Sequence, residues 1–153
     1  VAKVLSKICE KESPDLVLLG KQAIDDDACQ TGQMLAALAG TSLATFACKI
    51  EVTDAGFVVT RETDGGTQMV ALEKPAVVTS DLRLAEPRYV TLPSMARARK
   101  KPVEQIDFAS LGVDAKPRVK LLGVEMPVTK REGRMVSSVD ELVDILKNTA
   151  QVL

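Results

Sequence analysis

An α/β fold is what this sequence predicts: a largely parallel sheet with flanking helices, an antiparallel meander, and a C-terminal helical arm. Three features predict it. Two short continuous apolar runs, Leu16 to Leu19 and Ala76 to Thr79, have the length and character of strands buried on both faces of a parallel sheet. Segments of helical period stand on either side of the first run. Between Thr45 and Thr79 the period drops to two, the spacing of half-buried antiparallel strands.

Taken in order, Val1, Val4, Leu5, Ile8 and Cys9 recur at helical spacing, and Pro14 disfavours a helical Ser13, so the opening helix ends there. Leu16-Val17-Leu18-Leu19 then forms a strand, started by Asp15 and stopped by Gly20. Residues 21–30 are polar and irregular; Thr31 stands where it caps a short helix through about Ala39, with Gly40 as the stop. Ile50 and Val52, Phe57 and Val59, and Met69 and Ala71 alternate around Asp54-Ala55-Gly56 and Asp64-Gly65-Gly66, which predicts the meander. Pro75 leads into the second buried strand. Leu82 to Pro93 has no usable period and contains Pro87 and Pro93, marking a structured loop or an exposed arm.

Beyond the basic run Arg97 to Lys101, Val119 to Val124 reads as a strand and Pro127 to Val136 as a charged connector. Ser138 followed by Glu141 is a capping-box signature, and Val139, Leu142, Val143 and Leu146 form the apolar stripe of a final helix. Two parts are expected: residues 1–93, an α/β core ending in a loop at 84–94, and residues 95–153, the basic segment and C-terminal arm. Val1 is not an initiator Met and the chain opens inside a helical pattern, so upstream residues are expected.

Composition narrows the chemistry. With 20 Lys and Arg against 21 Asp and Glu, no whole-surface field favours nucleic acid or an anionic membrane. There is no histidine, which excludes the Ser-His-Asp and Cys-His triads and the H-E-x-x-H metal sites. Cys9, Cys29 and Cys48 are odd in number and share no C-x-x-C spacing, a pattern of a reducing compartment. No apolar run approaches the roughly 20 residues of a spanning helix, so membrane insertion is not expected. The chain is read as having no catalytic residues of its own.

Ligands of open α/β sheets lie beyond the carboxyl ends of the strands, which directs attention to Gly20-Lys21-Gln22-Ala23-Ile24-Asp25-Asp26-Asp27-Ala28-Cys29-Gln30-Thr31-Gly32. Thr31 and Gly32 open a helix whose free N–H groups and dipole attract an anion, and glycine lets a phosphate approach the backbone. Three consecutive carboxylates repel that phosphate unless they point away, accept from ribose hydroxyls, or bond to nearby backbone N–H groups. They equally suit a solvated loop that caps a helix. Neither G-x-x-x-x-G-K-[ST] nor G-x-G-x-x-G occurs, and the run lacks the alternating ligands of an EF-hand.

The stretch Leu18-Leu19-Gly20-Lys21-Gln22-Ala23-Ile24-Asp25-Asp26-Asp27, followed by Gln30-Thr31-Gly32-Gln33, resembles the AMP-binding segment of electron-transfer flavoprotein beta subunits. The likeness continues through Arg61 to Gly66, Pro75 to Thr79 and Asp81 to Tyr89. It covers essentially this whole chain but only the later part of a family member, which carries a further α/β portion before the opening helix. The resemblance implies a subunit of a heterodimeric electron carrier in the mitochondrial matrix or the bacterial cytoplasm. Gly20 through Thr31 would hold structural AMP, while FAD is held mainly by the alpha subunit, against which residues 95–153 would pack. Cys29 departs from the asparagine of many relatives. Electron-bifurcating relatives place a second FAD in this site, with glycine inside the acidic run and valine before the later glycine; Asp26 and Thr31 here favour AMP. A stand-alone stress-type nucleotide sensor remains the contrasting reading.

Glu86-Pro87-Arg88-Tyr89-Val90-Thr91-Leu92-Pro93-Ser94 sets one leucine among polar neighbours and prolines, a way to present an apolar anchor. A lone loop leucine also suits folding back on its own domain. The resemblance implies the former: a recognition loop for acyl-CoA and related dehydrogenases, with Tyr89, Thr91, Leu92, Pro93, Met95 and Arg97 as contacts, and a membrane quinone oxidoreductase as electron acceptor for the respiratory chain. Arg97, Arg99, Lys100 and Lys101 suit a solvated helix face or steering of an acidic partner; with 3% aromatic residues to stack bases, nucleic acid is not expected.

Overall fold

The computed structural model describes residues 1–114, 116–126 and 133–153, in two units, Val1–Ala115 and Lys116–Leu153. In the first unit, helix α1, Ala2–Glu12, stops where Ser13 takes a left-handed φ of 48° and donates its N–H to Cys9 O. Strand β1 is Leu16–Gly20 and helix α2 is Thr31–Ala39. Gly40 ends α2 at φ 64°, the left-handed cap its position suggested. Strands β2, Ser42–Thr53, β3, Gly56–Thr63, and β4, Gly66–Glu73, form the meander, and β5, Ala76–Ser80, follows a cis Lys74–Pro75 bond.

The α/β architecture is as predicted, but the sheet is not largely parallel: two of its ladders are antiparallel, and these are the longer ones. Its order is β1-β5-β2-β3-β4. The β1–β5 and β5–β2 ladders are parallel, while β2–β3 and β3–β4 are antiparallel. Strand β2 serves both halves. Its register shifts on the two sides of Ala47, and Phe46 adopts φ 58°, so the strand turns between one ladder and the next. Thr79 Oγ1 accepts the redirected Phe46 N–H at 3.2 Å.

Alternation along the strands creates two apolar layers. On one face Val77, Leu35, Ala36 and Ala2 meet, joined by Leu5, Val17, Leu19 and Leu43, which seats α1 and α2 on the sheet. Ala76, Val78, Ala44, Ala47, Phe57, Val59 and Leu72 form the second cluster. Strand β5 meets the expectation of a doubly buried strand, with Ala76 to Thr79 all buried. Among the described residues β1 has its ladder with β5, and Leu18 is 51% exposed.

The segment from Leu82 leads, with no regular element before it, into helix α3, Leu92–Arg99, and then to a 3-10 turn at Phe108–Leu111. In the second unit the predicted strand at Val119 to Val124 does not form. A strand needs a ladder partner, and among the described residues of this unit no second extended segment offers one. Residues 127–132 of the expected charged connector lie outside the described residues. Helix α4, Val139–Asp144, begins at Ser138, whose Oγ accepts from Glu141 N at 3.2 Å. The reciprocal half of the box shifts by one residue, because the Glu141 carboxylate takes the Ser137 N–H and hydroxyl at 2.8 and 2.6 Å. A π-type turn, Ile145–Thr149, continues the helix. Among the described residues no helix is long and apolar enough to cross a membrane.

Candidate functional site

Strands β1 and β5 run parallel and end together, with Gly20 opposite Ser80. The loop leaving β1 must return to the start of α2, and in doing so it encloses a cleft of ≈ 450 Å³, a size suited to a small ligand. Of the twelve loop residues singled out in sequence, ten line it: Gly20, Lys21, Gln22, Ala23, Asp25, Asp26, Ala28, Cys29, Gln30 and Thr31. The other two stand apart. Ile24 is fully exposed, and Asp27, at φ 50°, closes the loop by donating its N–H to Ala23 O and accepting from Gln22 Nε2 at 2.8 Å.

Three adjacent carboxylates coexist because the loop supplies donors to each. Asp25 Oδ1 accepts from Asp26 N at 3.0 Å and Asp26 Oδ1 from Ala28 N at 3.1 Å. Each of these two still has a second oxygen with which to accept from a ligand hydroxyl. Cys29, at φ 52°, turns its thiol toward Gln22 Oε1 at 3.8 Å.

At the far side of the loop, Thr31 is the first residue of α2 and not its cap. Gln30 occupies the cap position at φ −106° and its side chain makes no cap hydrogen bond. The orphan donors and the positive end of the helix dipole thus remain available to an anion. Independently of any phosphate, the fold requires glycine at 32: a Cβ there would lie 2.3 Å from Thr79 Cγ2, so glycine is what lets α2 sit close on β5.

Lys21 joins the cleft to the neighbouring strand end. Its N–H bonds Ser80 O at 3.0 Å, its ammonium bonds Asp81 Oδ2 at 3.0 Å, and Nζ lies 5.6 Å from the Phe46 ring centroid. The Asp81 side chain is 9% exposed. The Lys21 ammonium and then the Leu82 amide hold the Asp81 carboxyl below its usual range. A folded pKa below the reference value of 3.8 means that this contribution to stability is present above that pH and lost as pH falls through the folded value. Asp81→Asn is expected to flatten the pH dependence of unfolding below about pH 4, read by urea denaturation at a series of pH values. An unchanged acid slope would assign that slope to other carboxylates.

The second group of sequence-predicted residues gathers on and before α3. Thr91 is its N-cap: Oγ1 accepts from Ser94 N at 3.4 Å, and Thr91 N donates to Ser94 Oγ at 3.0 Å. Leu92 and Pro93 are therefore helical, not loop, residues, with Met95 and Arg97 following on the same helix. Tyr89 and Leu92 are 98% and 81% exposed.

Sequence reasoning missed Val1, Ala2, Leu19 and Met34 as cleft-lining residues. Met34 had a usable signal, one helical turn after Thr31, and Leu19 adjoins the loop. Val1 and Ala2 had none, since only the packing of α1 against α2 brings them there. Asp81 repeats after β5 the position that Lys21 holds after β1, which becomes visible once the register is known.

The sequence profile of the electron transfer flavoprotein domain matches residues 1–111. All 153 residues align at 55% identity with the electron transfer flavoprotein subunit beta of Bradyrhizobium diazoefficiens, spanning 61% of that protein. The whole chain is 48% identical to the mitochondrial electron transfer flavoprotein subunit beta of Arabidopsis thaliana, over 62% of its length. Against electron transfer flavoprotein subunit beta of Bos taurus, 99% of the chain aligns at 47% identity and covers 60% of the relative. The chain thus spans three fifths of the length of these relatives.

Proposed function

This chain belongs to the electron transfer flavoprotein family, and on that premise we propose that it is the nucleotide-binding and partner-docking part of the beta subunit of a heterodimeric electron carrier. AMP is its structural ligand, held by Gly20 through Thr31, while FAD belongs mainly to an alpha subunit against which residues 95–153 pack. The observation that carries this reading is the β1–α2 cleft, where an uncapped helix N-terminus faces a loop whose carboxylates are already restrained by backbone donors. That combination suits one phosphate and a ribose, because negative charge is welcome at one end and hydroxyl donors at the other. Among the described residues no aromatic ring lines the cleft for stacking on a flavin.

In this reading the chain performs no bond-making step. FAD supplies the redox chemistry of the complex; the residues here bind AMP and present the exposed face of α3 to acyl-CoA and related dehydrogenases. A membrane quinone oxidoreductase then receives the electrons for the respiratory chain. The Arabidopsis relative's name places it in mitochondria and the Bradyrhizobium relative is bacterial, so the compartment is the mitochondrial matrix or the bacterial cytoplasm.

The test is to purify the complete protein with its flavin-bearing partner, denature the complex and identify the released nucleotides. One AMP and one FAD per heterodimer is the expected result. Two FAD and no AMP would make it an electron-bifurcating carrier, and failure to form a flavin complex would favour a stand-alone nucleotide sensor.

A further inference from the structure

The ends of β1 and β5 lead to two different places: β1 opens into the cleft loop, and β5 into the segment that reaches α3. Between them lies the Lys21–Asp81 pair. We infer that Asp81 is a positioning residue which, through Lys21, couples occupancy of the cleft to the order of residues 82–91 and so to the presentation of Leu92. This deepens the AMP-site reading and rests on it.

Asp81 is fixed on three sides. Its N–H donates to Ala47 O at 3.1 Å, Oδ2 takes the Lys21 ammonium at 3.0 Å, and Oδ1 takes the Leu82 N–H at 2.6 Å. Its carbonyl accepts from Leu84 N at 3.3 Å, and Leu84 packs against the core cluster of Val59, Phe57 and Val78. The first turn of the segment is anchored by Asp81, by the packed Leu84 and by the Arg83–Glu62 ion pair at 2.8 Å, and Leu82 to Thr91 contains no helix or strand of its own. Such a segment opens at low free-energy cost, and its anchorage decides how often it does so.

Among the described residues, Lys21 is the cleft-lining residue whose side chain bonds Asp81. Its ammonium is bonded to the Asp81 carboxylate and lies over the Phe46 ring, which makes it a strut under the loop. A ligand that orders the loop also confines Lys21. The entropy of holding its long side chain against Asp81 is then already lost, so the pair holds more often and the 82–91 segment opens less often. By linkage, a docked partner that orders this segment tightens the cleft by the same factor.

Amide hydrogen exchange on the complete heterodimer, with bound nucleotide removed and AMP then added, tests the coupling. In the wild type AMP is expected to slow exchange at residues 20–34 and, by on the order of threefold, at 82–92. Asp81→Asn keeps an acceptor for the Leu82 N–H but loses the ion pair, and there AMP is expected to protect 20–34 alone. Lys21→Gln should behave as Asp81→Asn does, and the double variant should add nothing further. Equal protection of 82–92 in wild type and Asp81→Asn, or protection of 20–34 alone in the wild type, overturns the coupling and leaves the AMP site standing. Absence of protection at both segments overturns the two together.

Discussion

Leu92→Ala is expected to weaken docking of a partner dehydrogenase by about 2 kcal/mol, roughly thirtyfold in dissociation constant. The side chain is 81% exposed at the first residue of α3, so it contributes little to the fold, and the unfolding midpoint and nucleotide content should not change. Its setting suits the proposed docking role. The Thr91–Ser94 box and Pro93 fix the first turn of the helix before any partner arrives, so less ordering entropy opposes docking. Arg97 and Arg99, in the last turn of the same helix, face the negative end of its dipole and add a positive rim that favours encounter with an acidic surface. Stopped-flow reduction at increasing dehydrogenase concentration reads the effect as a shift in half-saturation. An unshifted curve would transfer the anchor role to exposed Tyr89 or Met95.

Gly32→Ala should cost the fold about 2 to 3 kcal/mol and loosen the cleft with it. The new methyl would sit 2.3 Å from Thr79 Cγ2 and 3.6 Å from Leu19 Cδ1. Thr79 cannot easily rotate away, being 1% exposed and holding the Phe46 N–H on Oγ1. Alanine's better helix propensity returns up to about 1 kcal/mol, which the clash exceeds. The remaining escape is for α2 to lift from β5, and that moves the helix N-terminus away from the position in which it faces the loop. Urea denaturation measures the first effect and AMP retention the second. Thr79→Ser, which removes the offending methyl and keeps the hydroxyl, is expected to restore much of the loss in the Gly32→Ala background. A loss under about 0.5 kcal/mol would mean that α2 adjusts freely.

The helix ends, the meander and the loop that encloses the cleft were legible in the sequence because each is written in a local pattern. Pro14 after Ser13, Gly40 after Ala39 and Ser138 before Glu141 act within one turn of chain, where capping and steric rules operate. Alternation marks the three strands of the meander and gives the buried face of β3, Phe57 and Val59, but in β4 the buried residue is Leu72 and not the expected Met69 and Ala71, which are exposed. The family resemblance was legible for a similar reason, since the loop from Gly20 to Thr31 is contiguous and ten of its twelve residues line one cleft.

Strand order and everything that follows from it were decided only by the tertiary structure. Insertion of β5 between β1 and β2 makes neighbours of strands far apart in the chain. Val119 to Val124 finds no ladder partner among the described residues of its unit, and close packing on Thr79 demands glycine at 32. The Lys21–Asp81 pair joins residues 60 apart in the chain. Side-chain period is a property of neighbouring residues, whereas ladder bonds, packing distances and ion pairs depend on which segments the whole core brings together, and no local pattern encodes that choice.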